Sequence, residues 1–408
     1  MKLYSILSVL LAGSAGAASL PAVPKTVVID GLQLAKTKRA LLRGDSSLQA
    51  ALSHLQAQAD NWLNQGPWTV TAKDKPPPGG TIHDYASQAP YYWPNPNTSD
   101  GCPYINKDGQ RNPEVDKYQD RKAVGKMFNS TYVLSLAWYY TGRAEYAAHA
   151  VKILRTWFLD PDTAMAPNLN HAQIIPCANT GRSIGIIDFS QEYTNVLDAV
   201  AILSTGAPGW KCSDAKAFKK WNKQFLSWLT DSKFGKAEAN AANNHGTFAN
   251  MQIAALALFT GNKTLARDTS KLMVQFIDKQ IREDGYMPDE VARTRSWHYT
   301  NFNLGAMLRW ALVAKKVGIN VYSHEGPKGQ SLFKAVNVTI AAAVDGPSRW
   351  PYEDLEFQRF AGTDNIHAAA LAGLEEAKSA VNDLQPPPGG DIFALRPAAQ
   401  QLDSIVTL

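Results

Sequence analysis

Leu136-Ala-Trp-Tyr-Tyr-Thr-Gly-Arg143 and Leu256-Ala-Leu-Phe-Thr-Gly-Asn262 each carry an apolar helical run to a stop at Thr-Gly, and each is followed by a second amphipathic stretch. Ala201-Ile-Leu-Ser-Thr-Gly206 ends in the same way. Glycine adopts the left-handed backbone that closes a helix, so helix, glycine stop, helix is the pattern of an αα-hairpin. Apolar stripes at helical spacing surround these stops. Tyr146, Ala147, Ala150, Val151, Leu154, Trp157 and Phe158 form one; Phe218, Trp221, Phe225, Trp228 and Leu229 form another. Leu265, Leu272, Phe276 and Ile277 predict a third, and Phe302, Met307, Leu308 and Ala311 a fourth. Hairpins in series over roughly 300 residues predict an all-α protein, a curved array or closed α/α toroid. Strand-like alternation is scarce, which argues against an α/β enzyme.

The 408 residues, 45% hydrophobic and 19% charged, suffice for a sizeable core. Residues 1–17 read as a secretory signal: Lys2, an apolar run from Leu3 to Leu11, then Ala15-Gly16-Ala17. The remainder, 18–408, is expected to form one domain with its core at about 80–375, a soluble, exported monomer. Acceptor triplets begin at Asn97, Asn129, Asn262 and Asn337, consistent with a secreted glycoprotein. Of Cys102, Cys177 and Cys212, an exported chain is expected to bridge two and leave one thiol. Spacing does not decide the pair; the shorter loop favours Cys177–Cys212.

The net charge of +5 fits an anionic partner, but without a Lys/Arg block nucleic acid is not expected. No later stretch is apolar enough to span a bilayer. Two regions break the helical pattern. Residues 73–113, with Lys75-Pro-Pro-Pro-Gly-Gly, Tyr91-Tyr-Trp-Pro-Asn-Pro96 and Cys102-Pro-Tyr, read as a long ordered loop, since aromatics at that density need packing partners. The tail, with Pro386-Pro-Pro-Gly-Gly390, reads as an extended strap over the surface.

Two short polar segments carry the chemistry. Asn243-Asn-His-Gly246 has a bland reading as a helix start, with Asn as cap and Gly for special dihedrals. The second, Asp289-Glu-Val-Ala-Arg-Thr-Arg-Ser-Trp-His-Tyr299, has a bland reading as a solvated loop, which its Trp, His and Tyr disfavour. Together they supply an amide, imidazoles, guanidiniums and a phenol. That set suits removal of the weakly acidic proton beside a carboxylate. There is no His-Glu-x-x-His, Gly-x-Ser-x-Gly or phosphate-loop motif, and neither metal nor cofactor is expected.

Asn-Asn-His-Gly, Asp284-Gly285, Glu290, Arg293 and His298-Tyr299 resemble the alginate lyase group of secreted polysaccharide lyases. Tyr85-Ala-Ser and Tyr91-Tyr-Trp-Pro-Asn-Pro look like that group's N-terminal substrate loop. The resemblance spans roughly residues 80 to 310. It implies an incomplete α/α toroid with a long cleft and metal-independent β-elimination of a uronate polymer, poly-mannuronate or glucuronan. By that resemblance Tyr299, Asn244, His245 and Arg293 are the catalytic set, with Arg295 as an alternative to Arg293. His298 and Trp297 are expected on the same cleft wall. Tyr91 and Trp93 are candidates to stack on sugar rings, with core packing the equal alternative. Arg182 and Glu238 could contact substrate, and Glu238 could instead orient His245; a helix-end ion pair explains either as well. His171 and His367 read as structural.

Two rival readings remain open at this stage. A glycoside hydrolase on a similar toroid would need two facing carboxylic acids, for which Asp188, Asp289, Glu290 and Asp364 are available. A non-catalytic carbohydrate-binding protein would need neither.

Overall fold

The computed structural model describes residues 21–400, so the signal read at 1–17 lies outside the described residues. Helices α1 (Gly31–Leu42) and α2 (Gln49–Trp62) come first, and Asp30 caps α1 by accepting the amides of Leu32 and Gln33. A hairpin of α3 (Gln119–Thr141) and α4 (Ala144–Phe158) turns at Gly142, whose φ of 75° is the left-handed cap. Then come α5 (Ile187–Ser190), α6 (Tyr193–Leu203), α7 (Cys212–Asp231) and α8 (Lys233–Ala239). The second Thr-Gly hairpin is α9 (Asn244–Thr260) and α10 (Lys263–Lys271), turning at Gly261 with φ 94°. It is followed by α11 (Met273–Gln280), α12 (Pro288–Val291), α13 (Ser296–Lys316), α14 (Leu332–Asp345), α15 (Thr363–Ala372) and α16 (Glu375–Ala380).

These helices form two layers. In the inner layer α3 packs on α6, α6 on α9, α9 on α13 and α13 on α15. The outer layer sets α2 and α4 on α3, α7 and α10 on α9, and α14 on α13 and α15. Sequence dictates the division. Every residue of α6 is buried and α9 is buried over most of its surface, as an inner helix must be. Helices α4 and α7 bury one stripe and expose Lys, Glu and Gln on the other face. The result is the expected α/α toroid.

The tail does more than lie on the surface. Its short turn Phe393–Leu395 packs on α1 and α2, and Tyr140 donates to the Leu395 carbonyl at 2.8 Å. Arg396 meets Asp364 of α15 at 2.6 Å, both side chains buried. The tail thus spans from the last inner helix back to the first pair.

The third predicted stripe is corrected. Leu272 is exposed and separates α10 from α11, and the buried positions there are Ala266, Thr269, Ser270, Met273 and Ile277. The chain breaks and restarts its helical phase, so one continuous stripe misassigns the face.

The loop before α3 is ordered, as expected. It carries β1 (Ala86–Gln88), β2 (Tyr92–Trp93) and β3 (Ile105–Asn106), and β4 (His171–Ile174) follows α4. Strand β1 runs parallel to β4, and β2 pairs antiparallel with β3. The disulfide is Cys102–Cys177, not Cys177–Cys212. Cys212 starts α7 as an exposed thiol, while the bridge joins the β2–β3 loop to the segment after β4. The Cys177–Cys212 expectation weighed only loop length; folding brings the more distant cysteine to Cys177.

Breaking a buried ion pair by removing one partner typically costs about 3–5 kcal/mol. Arg396→Ala is therefore expected to lower unfolding stability by about that much, measured by denaturant or thermal melting. A variant with parental stability would show that the tail does not close the ring.

Candidate active site

The first turns of α3, α9 and α13 open onto one cleft of about 620 Å³, roofed by the β1–β3 loop. Inner helices buried along their length can present polar side chains only at such ends. The helix-start reading of Asn243-Asn-His-Gly is the one the backbone shows. Asn243 caps α9 by accepting the His245 amide at 3.2 Å, and Gly246 is required because a Cβ would lie 2.0 Å from the Ala241 carbonyl. Asn244 and His245 line the cleft.

Each is held from behind by a buried carboxylate. Glu290 of α12, 1% exposed, accepts the Asn244 backbone amide at 2.9 Å and its Nδ2 at 2.7 Å. Burial pushes the Glu290 carboxyl up to about 7, against the pull of the Asn244 bonds, Arg293 and His245. Glu238 of α8, also 1% exposed, lies 2.7 Å from His245 Nδ1. Burial raises its pKa, while His245 and Arg182 pull it down. A carboxylate at Nδ1 selects the Nδ1–H tautomer, leaving the Nε2 lone pair for the cleft. Glu238 is therefore a positioning residue, and the expectation that it contacts substrate is corrected.

Tyr299 sits in the first turn of α13, and its hydroxyl is 2.8 Å from that of Tyr91. The Arg293 guanidinium lies over the Tyr299 ring, 3.7 Å from its centroid, and clamps Asp108 at 2.5 to 3.1 Å. The phenol is still held well above its ordinary value. Burial dominates, the neighbouring Tyr91 adds to it, and the pull of Arg293 is smaller. Burial thus favours the neutral phenol in the unliganded cleft, against the pull of Arg293.

Other sequence candidates divide between the cleft and its support. Arg182, Arg295 and His298 line the cleft. Arg182 donates to Gln173 Oε1 at 2.7 Å and stacks over Tyr92, and Arg295 pairs with Glu356 at 3.1 Å. His298 stacks on Phe302. Trp93 and Trp297 are corrected. Adjacent strand residues point to opposite faces, so Tyr92 lines the cleft while Trp93 turns to the Gln110 carbonyl and Lys107. Trp297, one helical step from His298, is fully buried against Phe357. Tyr85 and Ser87 are also support: both donate to Asp188.

Sequence reasoning missed Asp108, Gln173, Arg121 and Lys122. Gln173, at φ 51°, lines the cleft, and Cys177 at 74° and Asn179 at 55° follow it in the same left-handed backbone. No sequence motif marks these positions.

Six basic side chains (Arg111, Arg121, Lys122, Arg182, Arg293, Arg295) and three carboxylates (Asp108, Asp188, Glu356) line the cleft, which favours an anion. Those carboxylates are engaged: Asp108 by Arg293, Glu356 by Arg295, and Asp188 by Tyr85, Ser87 and Gln173. Of the other acids considered for hydrolysis, Asp289 is exposed, and Glu290 and Asp364 are buried behind other groups. No free facing pair of acids exists among the described residues of the cleft, contrary to the hydrolase requirement.

A helical toroid around a cationic cleft is the architecture of a polysaccharide lyase. The alginate lyase family model matches residues 69–350, and the chain belongs to that family. An alginate lyase from Bacteroides ovatus is similar in structure over 91% of this chain and 99% of that one, with 33% identity and a TM-score of 0.85. Alginate lyase A1-III from Sphingomonas species A1 matches over 92% and 97%, at 15% identity and a TM-score of 0.57, which speaks for the fold alone. A variant of A1-III complexed with a tetrasaccharide matches at 14% identity and the same TM-score, over 92% of this chain and 96% of that one. No curated protein matches.

If Glu238 fixes the His245 tautomer, Glu238→Gln keeps the shape but offers an amide that permits the wrong one. The kcat is expected to fall by about 10² to 10⁴, with KM little changed and the melting temperature near parental. An unchanged kcat would leave Glu238 a purely structural partner.

Proposed function

We propose that this lyase cleaves a β-1,4-linked uronate polymer, poly-mannuronate or glucuronan, by metal-independent β-elimination, leaving a 4,5-unsaturated uronate end. The observation that carries this is the convergence of Asn244, His245, Arg293 and Tyr299 on one cationic cleft. The C5 proton of a uronate is hard to remove because the neighbouring carboxylate is already negative. Donors from Asn244 and Arg293 around that carboxylate stabilise the enediolate-like charge as it forms. No metal is needed for that step.

His245, with Nε2 left for the cleft, is the base in this reading. Tyr299, a neutral phenol, donates its proton to the leaving oxygen at C4. Tyr91 at 2.8 Å orients that hydroxyl. A second reading lets Tyr299 both take and return the proton when both groups lie on one sugar face. The Arg293 guanidinium over its ring, which favours the phenolate, is the feature that supports it.

Export belongs to the same proposal. Asn97, Asn262 and Asn337 are exposed, whereas Asn129 is half-buried in α3 with its side-chain oxygen accepting from Trp62 at 3.0 Å. Glycans are expected at the first three. A mass loss on enzymatic deglycosylation of the exported protein, absent from the triple Asn→Gln variant, checks this.

Growth of ultraviolet absorbance from a conjugated unsaturated uronate, on a panel of alginate, glucuronan and glycosaminoglycans, tests both reaction and substrate. Activity is expected to persist in EDTA. Tyr299→Phe keeps the ring and deletes the hydroxyl, so kcat should fall by ~10² to 10⁴ with stability near parental. Reducing ends without absorbance would mean hydrolysis; full loss in EDTA restored by a divalent cation would overturn the metal-free step.

A further inference from the structure

Of the six basic side chains in the cleft, five meet a carboxylate of the protein. Arg111 and Lys122 share Asp116, Arg121 lies 3.6 Å from Asp188, Arg293 clamps Asp108 and Arg295 meets Glu356. Arg182 is different. Among the described residues its hydrogen-bond acceptors are the uncharged oxygens of Gln173, Oε1 at 2.7 Å and the main-chain carbonyl at 3.3 Å, and no carboxylate lies within ion-pair distance. Burial lowers its pKa below the ordinary guanidinium value, and Tyr92, Asp188 and Glu238 raise it by less. A half-buried guanidinium short of counter-charge at the surface of a cleft is a place where an anion binds with gain.

The fold sets this cation across the cleft from Arg293 and Tyr299. In the inner layer α9 lies between α6 and α13. Arg293 and Tyr299 stand on the α13 side. Arg182 stands on the other, where the turn Ser183–Ile186 that follows it packs on α8, the helix of Glu238. Its position there is fixed on three sides. The main-chain N–H of Arg182 donates to the Ala172 carbonyl of β4 at 3.0 Å, Gln173 takes one edge of the guanidinium, and the Tyr92 ring covers a face with its centroid 4.9 Å away. Gln173 cannot turn its amide over, because its Nε2 donates to Asp188 at 3.1 Å while its Oε1 accepts from Arg182.

We propose that Arg182 binds the carboxylate of the uronate next in the chain to the one that loses its C5 proton, and so selects polymers with uronates at consecutive positions. The inference rests on the uronate reading of the site. Successive β-1,4-linked sugars are rotated by about half a turn, so the carboxylates of neighbours point to opposite edges of the chain. A uronate whose carboxylate meets Asn244 and Arg293 therefore directs its neighbour's carboxylate to the opposite flank, where Arg182 stands. A planar fork already held along one edge loses little freedom on taking a carboxylate. In hyaluronan each glucuronate has uncharged neighbours, and Arg182 would gain no counter-charge. Arg182 is thus a specificity-determining residue, distinct from the groups that act at the reacting sugar.

The test takes whichever uronate polymer the enzyme cleaves and reduces its carboxyl groups at random to primary alcohols, in graded amounts. Two required neighbours make the parental kcat/KM fall as the square of the uronate fraction left; a single required uronate makes it fall in simple proportion. The square is expected, together with much slower cleavage of hyaluronan. Arg182→Gln removes the charge and should lower kcat/KM on the unreduced polymer by about 10- to 100-fold, the worth of one charge-assisted hydrogen bond, chiefly through KM. Its dependence on uronate fraction should become proportional. Arg182→Lys keeps the charge and should recover part of the loss and the square. A proportional dependence in the parental enzyme overturns the proposal, as does a folded Arg182→Gln with parental kcat/KM. A loss confined to kcat overturns it too, since Arg182 would then serve the reacting carboxylate. If Arg182→Gln does not fold, the parental series and Arg182→Lys decide. Cleavage of no uronate polymer at all is a different result, and it sinks the substrate reading itself.

Discussion

Helix α9 is enclosed by α6, α7, α8, α10 and α13, and that enclosure is the constraint from which the site follows. A helix buried almost all round has polar freedom only at its ends. Its first turn must satisfy orphan amides, and Asn243 and Glu290 do so. Once Glu290 is committed to the Asn244 amide, α12 is fixed against the start of α9. The short step from α12 into α13 then sets Arg293 and Tyr299 beside Asn244 and His245. One capping requirement thus ties the two polar segments together across the intervening α10 and α11.

The electrostatics of the cleft divide in the same way between front and back. In front, Arg293 faces both Asp108 and the Tyr299 ring, a geometry available to a planar guanidinium and not to an ammonium. Behind, Glu238 and Glu290 are carboxylates that never reach the cleft surface, each made basic by burial and each spent on one polar neighbour. The anion-attracting front and the acidic back are separate, because the back carboxylates are buried and turned to Asn244 and His245.

The legible parts of the fold were those with local physical causes. Gly142 and Gly261 end helices because only glycine takes the left-handed cap without cost, so the hairpins could be read directly. The stripes of α4 and α7 follow from one-sided burial. Leu272 misled because a helix that breaks and restarts resets its phase without changing composition. Within the site, Asn244, His245, Arg293 and Tyr299 were legible as a chemical set, but adjacency in a motif does not mean a shared face. Trp93 beside Tyr92, and Trp297 beside His298, point elsewhere because strand and helix rotate successive side chains apart. Asp108 was invisible for a different reason: its partner Arg293 lies 185 residues away.

The same distance argument governs the disulfide and explains why the roof of the cleft can be trusted as a wall. The β1–β3 loop has little regular structure of its own, and its aromatic residues alone would not fix Tyr91 to within hydrogen-bond reach of Tyr299. Three connections hold it: β1 against β4, Cys102 to Cys177, and the Arg293 clamp on Asp108. The first two run to the segment that contains Gln173, Cys177 and Asn179 in left-handed backbone, conformations that cost about 1–3 kcal/mol each outside glycine. Through Gln173 that segment holds both Arg182 and Asp188 at the cleft, so roof and cations are one connected unit. A polymer entering the cleft therefore meets a phenol and an amide pre-set at one end and a stapled aromatic roof above.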